Sequence, residues 1–171
     1  MQSNQLHDGS WAHRIECRSH RAKVKFLANL AEYDSRTPDV RRAAERIVAG
    51  AKNGQQQIEA LHRHVRDHVT FTRERVETFS PTMYTLDMGI GDCDDTARAL
   101  MALLRSLGFE AGVQTLPEAQ TGRVPLHVAA QVKHNGRWQW LETTIKAEPG
   151  EHPMAAARRL GINTRPDLAA A

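Results

Sequence analysis

Apolar residues recur at three- and four-residue steps as far as about residue 107, and at two-residue steps beyond it. In residues 19–33, SHRAKVKFLANLAEY, the positions Val24, Leu27, Ala28 and Ala31 share one helical face. Residues 35–54 read as a capped helix, with Thr37 at the N-cap, Pro38 just inside, Asp39 favourable to the dipole, and Gly50 or Gly54 ending the run. Residues 55–71 predict a third helix that buries Ile58, Leu61, Val65 and either His68 or Val69. The stretch 68–92 lacks helical period and contains Pro81, Gly89 and Gly91, which predicts a short extended segment and a long loop. From Asp94 to Leu107 the period returns through Ala97, Leu100, Met101, Leu103, Leu104 and Leu107. That run is apolar over more than half its circumference, so the helix is expected at the centre of the fold, with Gly108 as its C′ residue.

Everything after Gly108 is strand-like. EAGVQTL (110–116), LHVAAQVKHN (126–135) and RWQWLETTI (137–145) predict three strands, the last two joined at Asn135-Gly136, a strong hairpin signal. Residues 152–162 add a short helix and RPDLAAA (165–171) reads as a loose tail. Helices followed by an antiparallel meander make an α+β layout. No repeat or linker divides the chain, so one domain is expected over 1–171, with a helical part at 1–53, a core at 54–146 and an extension at 147–171.

Composition narrows the classes. A chain of 171 residues, 40% hydrophobic and 25% charged, can bury a core without staples. Aromatic residues make up only 5%, so aliphatic side chains fill that core. The net charge of +3 comes with 18 arginines against 5 lysines, clustered in RIECRSHRAKVK and DVRRAAER. These read as solvated helix faces, since no dense basic stripe on a nucleic-acid motif is present; nucleic acid is not expected as a partner. No secretory signal and no apolar run of membrane-spanning length is visible, so a cytoplasmic location without a membrane partner is the default expectation. The only cysteines, Cys17 and Cys93, would then stay reduced.

The chemistry concentrates at GIGDCDDTARALMALLRSLGFEAG (89–112), where Cys93 sits among aspartates at the start of the central helix. A lone cysteine is more often a small core hydrophobe. Here the unpaired N–H groups and positive dipole end of a helix start favour a thiolate, and the Cys93 N–H could donate to an oxyanion. The aspartates read as caps and dipole partners, Asp92 and Asp94 as supports of that start. His127 opens the second strand, and taken alone reads as an exposed edge residue. A hairpin centred between 135 and 136 sets position 127 opposite 144, so Glu142 falls on a diagonal position that a carboxylate can span. Thiol, imidazole and carboxylate then fill the roles of nucleophile, base and orienter. Tyr84, upstream of Cys93, is a candidate hydroxyl for an oxyanion. His64 and His68 share a helix face but lack a third ligand, so no metal site is expected. The aspartate spacing does not fit a calcium loop. Trp138 and Trp140 share a strand face and are expected to cover the core.

The segments GDCDDTARALMALLRSLGFEAG, HVAAQV and GRWQWLETT, in that order, resemble the transglutaminase-like superfamily of papain-type cysteine enzymes. HVRDHVTFTRERVETFSPTMYTLDMGIGDCDD also resembles its phage- and prophage-borne branch. The resemblance covers about residues 54–146, most strongly 86–146. It implies a papain/transglutaminase-like core and a Cys–His–acid triad carried by Cys93, His127 and Glu142. The acid is usually Asp in that family, and an aromatic residue often follows the histidine segment where this chain has HVAA.

The function expected is cysteine-dependent acyl transfer on amide bonds of a protein or peptide, as a peptidase, amidase or transglutaminase, without a cofactor. The alternative is a phage particle or accessory protein, virion-associated, that keeps the fold and does no chemistry.

Overall fold

The computed structural model describes residues 2–5, 11–14, 20–72, 78–116 and 127–162. Its elements in chain order are an antiparallel pair β1 (Gln2–Gln5) and β2 (Trp11–Arg14), helices α1 (His20–Ser35), α2 (Pro38–Ile47) and α3 (Gly54–His68), and strand β3 (Thr70–Phe71). Then come α4 (Thr82–Met88), β4 (Ile90–Gly91), α5 (Cys93–Ser106), strands β5 (Glu110–Leu116), β6 (His127–His134) and β7 (Arg137–Leu141), and α6 (Pro153–Arg159). The architecture is α+β, as expected. Cys17 and the tail at 165–171 lie outside the described residues.

The centre is α5. Every residue from Asp94 to Leu104 is buried, and the helix packs against α1, α2, α3 and α4 and against β5 and β6. Leu100, Met101, Leu103 and Leu104 are fully enclosed, each stabilising the fold by about 1.5–3 kcal/mol relative to exposure. Leu27, Val40, Ala44, Ile58, Leu61 and Val65 from the first three helices complete this side of the core. Of the two candidates at the end of α3, Val69 is the one buried. Gly54 opens α3 instead of closing α2: the Asn53 side chain accepts from the Gln56 N–H and caps the helix.

The sheet is an antiparallel meander in the order β5-β6-β7. Asn135 and Gly136 both lie at positive φ, 50° and 76°, in the two-residue turn between His134 and Arg137, as a type I′ hairpin requires. β6 is the middle strand, and Val128 to Val132 are buried on both faces. Trp138 does not cover the core. It is 48% exposed, while Trp140 is half-buried with its ring edge against His152 at 5.0 Å.

The segment read as a long loop contains a two-turn helix, α4. Its fully buried residues are Thr82 and Thr85, with Met83 and Leu86 only partly buried against the core, so its apolar pattern was too short to announce it. It is held by an ion pair. Arg98 of α5 grips Asp34 at the end of α1 through Nε at 2.8 Å and Nη2 at 3.0 Å, and donates a third bond to the Phe79 carbonyl. The Thr82 N–H and hydroxyl both donate to Asp34 Oδ2. This network fastens three helices and the strand of chain that leads to Cys93. Among the described residues, no helix is long and apolar enough to cross a membrane.

Removing one partner of a buried, hydrogen-bonded pair strands the other charge. Asp34→Ala is therefore expected to lower stability by about 3–5 kcal/mol. Urea unfolding of the variant beside the parent chain measures it.

Candidate active site

The start of α5 is built by its aspartates, each with a separate task. The Asp92 carboxylate accepts from the Asp94 and Asp95 N–H groups at 2.8 and 3.2 Å. Asp95 returns a bond to the Asp92 N–H, closing a capping box, and its other oxygen accepts from the Ser80 N–H at 2.7 Å. Thr96 N–H reaches the Asp92 carbonyl. These caps leave the Cys93 N–H as the first-turn donor they do not use. Gly91 is required by space: a Cβ there would stand 2.9 Å from the Asp95 Cβ. Asp94 is buried and paired with Lys23 of α1 at 2.6 Å, while its other oxygen lies 3.9 Å from the Cys93 sulfur.

Cys93 itself is half-buried at the first position of α5. A helix start was expected to favour its thiolate. Instead, burial first and then the Asp94 and Asp92 carboxylates push the thiol up, and the opposing pull of the Val128 N–H and of Lys23 is smaller. The resting group is a thiol. Its contact with the Val128 main chain also places the sulfur beside β6, one residue from His127.

His127 is not at a sheet edge but at the start of the middle strand, where the side chain is mostly enclosed. Its Nε2 lies 2.5 Å from Glu142 Oε2. The ladder between β6 and β7 ends at Ala130–Leu141, and Glu142 follows just past it, only 1% exposed. Its Oε1 accepts from the Thr144 N–H at 2.6 Å and the Thr144 hydroxyl at 2.8 Å. Burial alone would raise the pKa of this carboxyl. Attraction to His127, its hydrogen bond and the two from Thr144 outweigh that and hold it below the ordinary carboxylate range. An ionised Glu142 only accepts, so His127 Nε2 carries a proton, and the neutral ring keeps its lone pair on Nδ1.

The structure thus joins His127 to Glu142 and sets the Cys93 sulfur against the neighbouring residue of β6. Tyr84 is 53% exposed on α4. His64 and His68 stack on each other at 4.3 Å, with His68 Nδ1 bonded to the His64 carbonyl. Among the described residues no cluster of three or more His, Cys, Asp or Glu is arranged to hold a metal ion. The sequence reading passed over His62, which is fully buried on α3 with Nε2 2.6 Å from the Glu142 carbonyl. Its place on the stripe Ile58, Leu61, Val65 was the available signal.

Residues 41–143, more than half of the chain, match the family model of the transglutaminase-like superfamily. No curated protein matches significantly. Among solved structures, a protein from Parabacteroides distasonis, described provisionally as a protease, superposes with a TM-score of 0.57 at 15% identity, over 77% of this chain and 27% of that one. A protein from Cytophaga hutchinsonii, described provisionally as a cysteine protease, does so with a TM-score of 0.53 at 17% identity, over 70% of this chain and 44% of that one. At such identities the likeness concerns the fold, and the chain spans less than half the length of either neighbour. With a cysteine opening the central helix and a histidine opening the middle strand inside the matched region, the chain belongs to the transglutaminase-like superfamily.

Proposed function

We propose that this chain is a cysteine-dependent acyl-transfer enzyme acting on amide bonds, with Cys93 as nucleophile, His127 as base and Glu142 as orienter. The observation that carries the reading is the 2.5 Å contact between His127 Nε2 and the buried Glu142 carboxylate. It assigns the ring's free lone pair to Nδ1, the nitrogen available to a thiol. The extra methylene of Glu relative to Asp is absorbed by the Thr144 clasp, which fixes one oxygen and presents the other.

The Cys93 proton passes to His127 Nδ1 as the sulfur attacks the substrate carbonyl, and the Glu142 carboxylate stabilises the imidazolium that forms. The Cys93 N–H donates to the oxyanion, with Tyr84 a second donor if the substrate draws its hydroxyl in. Collapse breaks the C–N bond, and the proton on Nδ1 leaves with the amine. The thioester is then opened by water, a peptidase or amidase outcome, or by a second amine, a cross-linking one. Hydrolysis is the outcome we favour, acting on a protein or peptide. Asp92 supports the site as the cap that fixes the sulfur's position, and Asp94 holds the resting thiol.

A second reading draws on the same raised thiol: a particle or accessory protein, of phage or prophage origin as the GDCDD-type loop suggests, in which Cys93 does no chemistry. Detection of the chain in purified particles that assemble fully with Cys93→Ala favours it.

Because burial and two carboxylates disfavour the thiolate, Cys93 without its base should react more slowly than free cysteine throughout pH 6–9. Iodoacetamide labelling of Cys93, read by peptide mass spectrometry at pH 7.5, is expected to fall roughly 10²-fold in His127→Ala, the scale of a general base. Labelling that is unchanged in His127→Ala overturns the enzyme reading.

A further inference from the structure

His62 is a buried titratable group that the acyl-transfer chemistry does not touch. It is 0% exposed, and among the described residues its Nδ1 has no hydrogen-bond partner. Its Nε2 lies 2.6 Å from the Glu142 carbonyl oxygen. A carbonyl only accepts, so the Nε2 must carry a proton. A second proton on Nδ1 would place an unpartnered charge in the core, so the ring is neutral with Nδ1 bare. Burial, the largest influence on this ring, also lowers its pKa, and the Glu142 carbonyl opposes it only in part.

The main chain explains why such a donor is needed there. The β6–β7 ladder stops at Leu141, and by its register His127 would next face Thr144. Glu142 lies where β7 has left the ladder, and its buried carbonyl would otherwise have no sheet partner. A chain that stayed in register would set Thr144, not an acid, opposite the base. In register Glu142 already shares the face of His127 on a diagonal position, and past the end of the ladder α3 supplies the bond that holds its main chain there.

We propose that His62 is a positioning residue: its Nε2–H clamps the main chain of Glu142 and thereby fixes the carboxylate against His127. This rests on the triad reading, since its consequence for reactivity passes through His127 to Cys93. Glu142 is then held at three points, its carbonyl by α3, one carboxylate oxygen by Thr144 and the other by the imidazole. The clamp joins the site to the helix that carries Ile58, Leu61 and Val65, all fully buried, so the acid is referenced to the core and not to a strand end.

The test uses the full chain labelled with ¹⁵N-histidine, with His62→Gln and His62→Leu beside the parent. The Gln amide nitrogen reaches as far as Nε2 and keeps the donor, whereas Leu keeps the apolar bulk and removes it. In the parent, His62 is expected as the neutral Nε2–H tautomer at neutral pH, a result independent of any reactivity at Cys93. A neutral Nδ1–H form, or a charged ring at neutral pH, overturns the clamp. The downfield Nε2 proton of His127, which reports its contact with Glu142, is expected in the parent and in His62→Gln and lost in His62→Leu. Iodoacetamide labelling of Cys93 is expected to slow on the order of tenfold in His62→Leu, as a small misplacement costs, and to recover in His62→Gln. In a Glu142→Gln background, His62→Leu is expected to slow labelling no further. A folded His62→Leu that keeps the His127 signal, or slows labelling equally with Glu142→Gln present, makes His62 merely structural. Should His62→Leu not fold, loss of the His127 signal in folded His62→Gln overturns the proposal. Labelling indifferent to His127→Ala with the His62 tautomer as stated would defeat the triad reading alone.

Discussion

A carboxylate taken almost wholly out of water persists only where hydrogen bonds offset the lost hydration. Glu142 meets that condition on both oxygens, through His127 and through the Thr144 amide and hydroxyl. The rest of the site follows from this one ion. It fixes which nitrogen of His127 is protonated and sets the ring's orientation.

The surroundings of Cys93 work in the opposite sense. Three aspartates hold the start of α5 by capping it, anchoring the Ser80 segment and pairing with Lys23. Burial, and after it the charge of two of them, Asp94 and Asp92, pushes the thiol up. Rigidity at the helix start and ease of ionisation are therefore in competition, and the geometry favours rigidity. In the acyl-transfer reading the proton must leave during the attack, which gives the imidazole a larger share of the work than a preformed thiolate would.

Much of this was legible in the chain itself. The long apolar run after Cys93, the glycine at 108 and the Asn-Gly turn each obey a local rule, so α5 and the meander were readable, and with them the closeness of His127 to Glu142. α4 was not, because its fully buried residues are threonines, Thr82 satisfied by Asp34 on another helix and Thr85 by the Pro81 carbonyl. Trp138 was misplaced because alternation identifies a face without saying what covers it. The ionisation of Cys93 depends first on burial, which no local pattern shows, and then on the Asp94 and Asp92 carboxylates beside it. His62 escaped notice because a histidine on an apolar stripe looks like filler until the carbonyl it meets is known.

The hairpin at Asn135-Gly136 acts as a ruler between base and acid. Side chains alternate along β7, so one residue gained or lost in that turn would send every later side chain to the opposite face of the sheet. Glu142 and its Thr144 clasp would then swing away from the imidazole together, while His62 and the helical core stayed where they are. The length of this two-residue connection is thus as much a part of the site as any of its side chains.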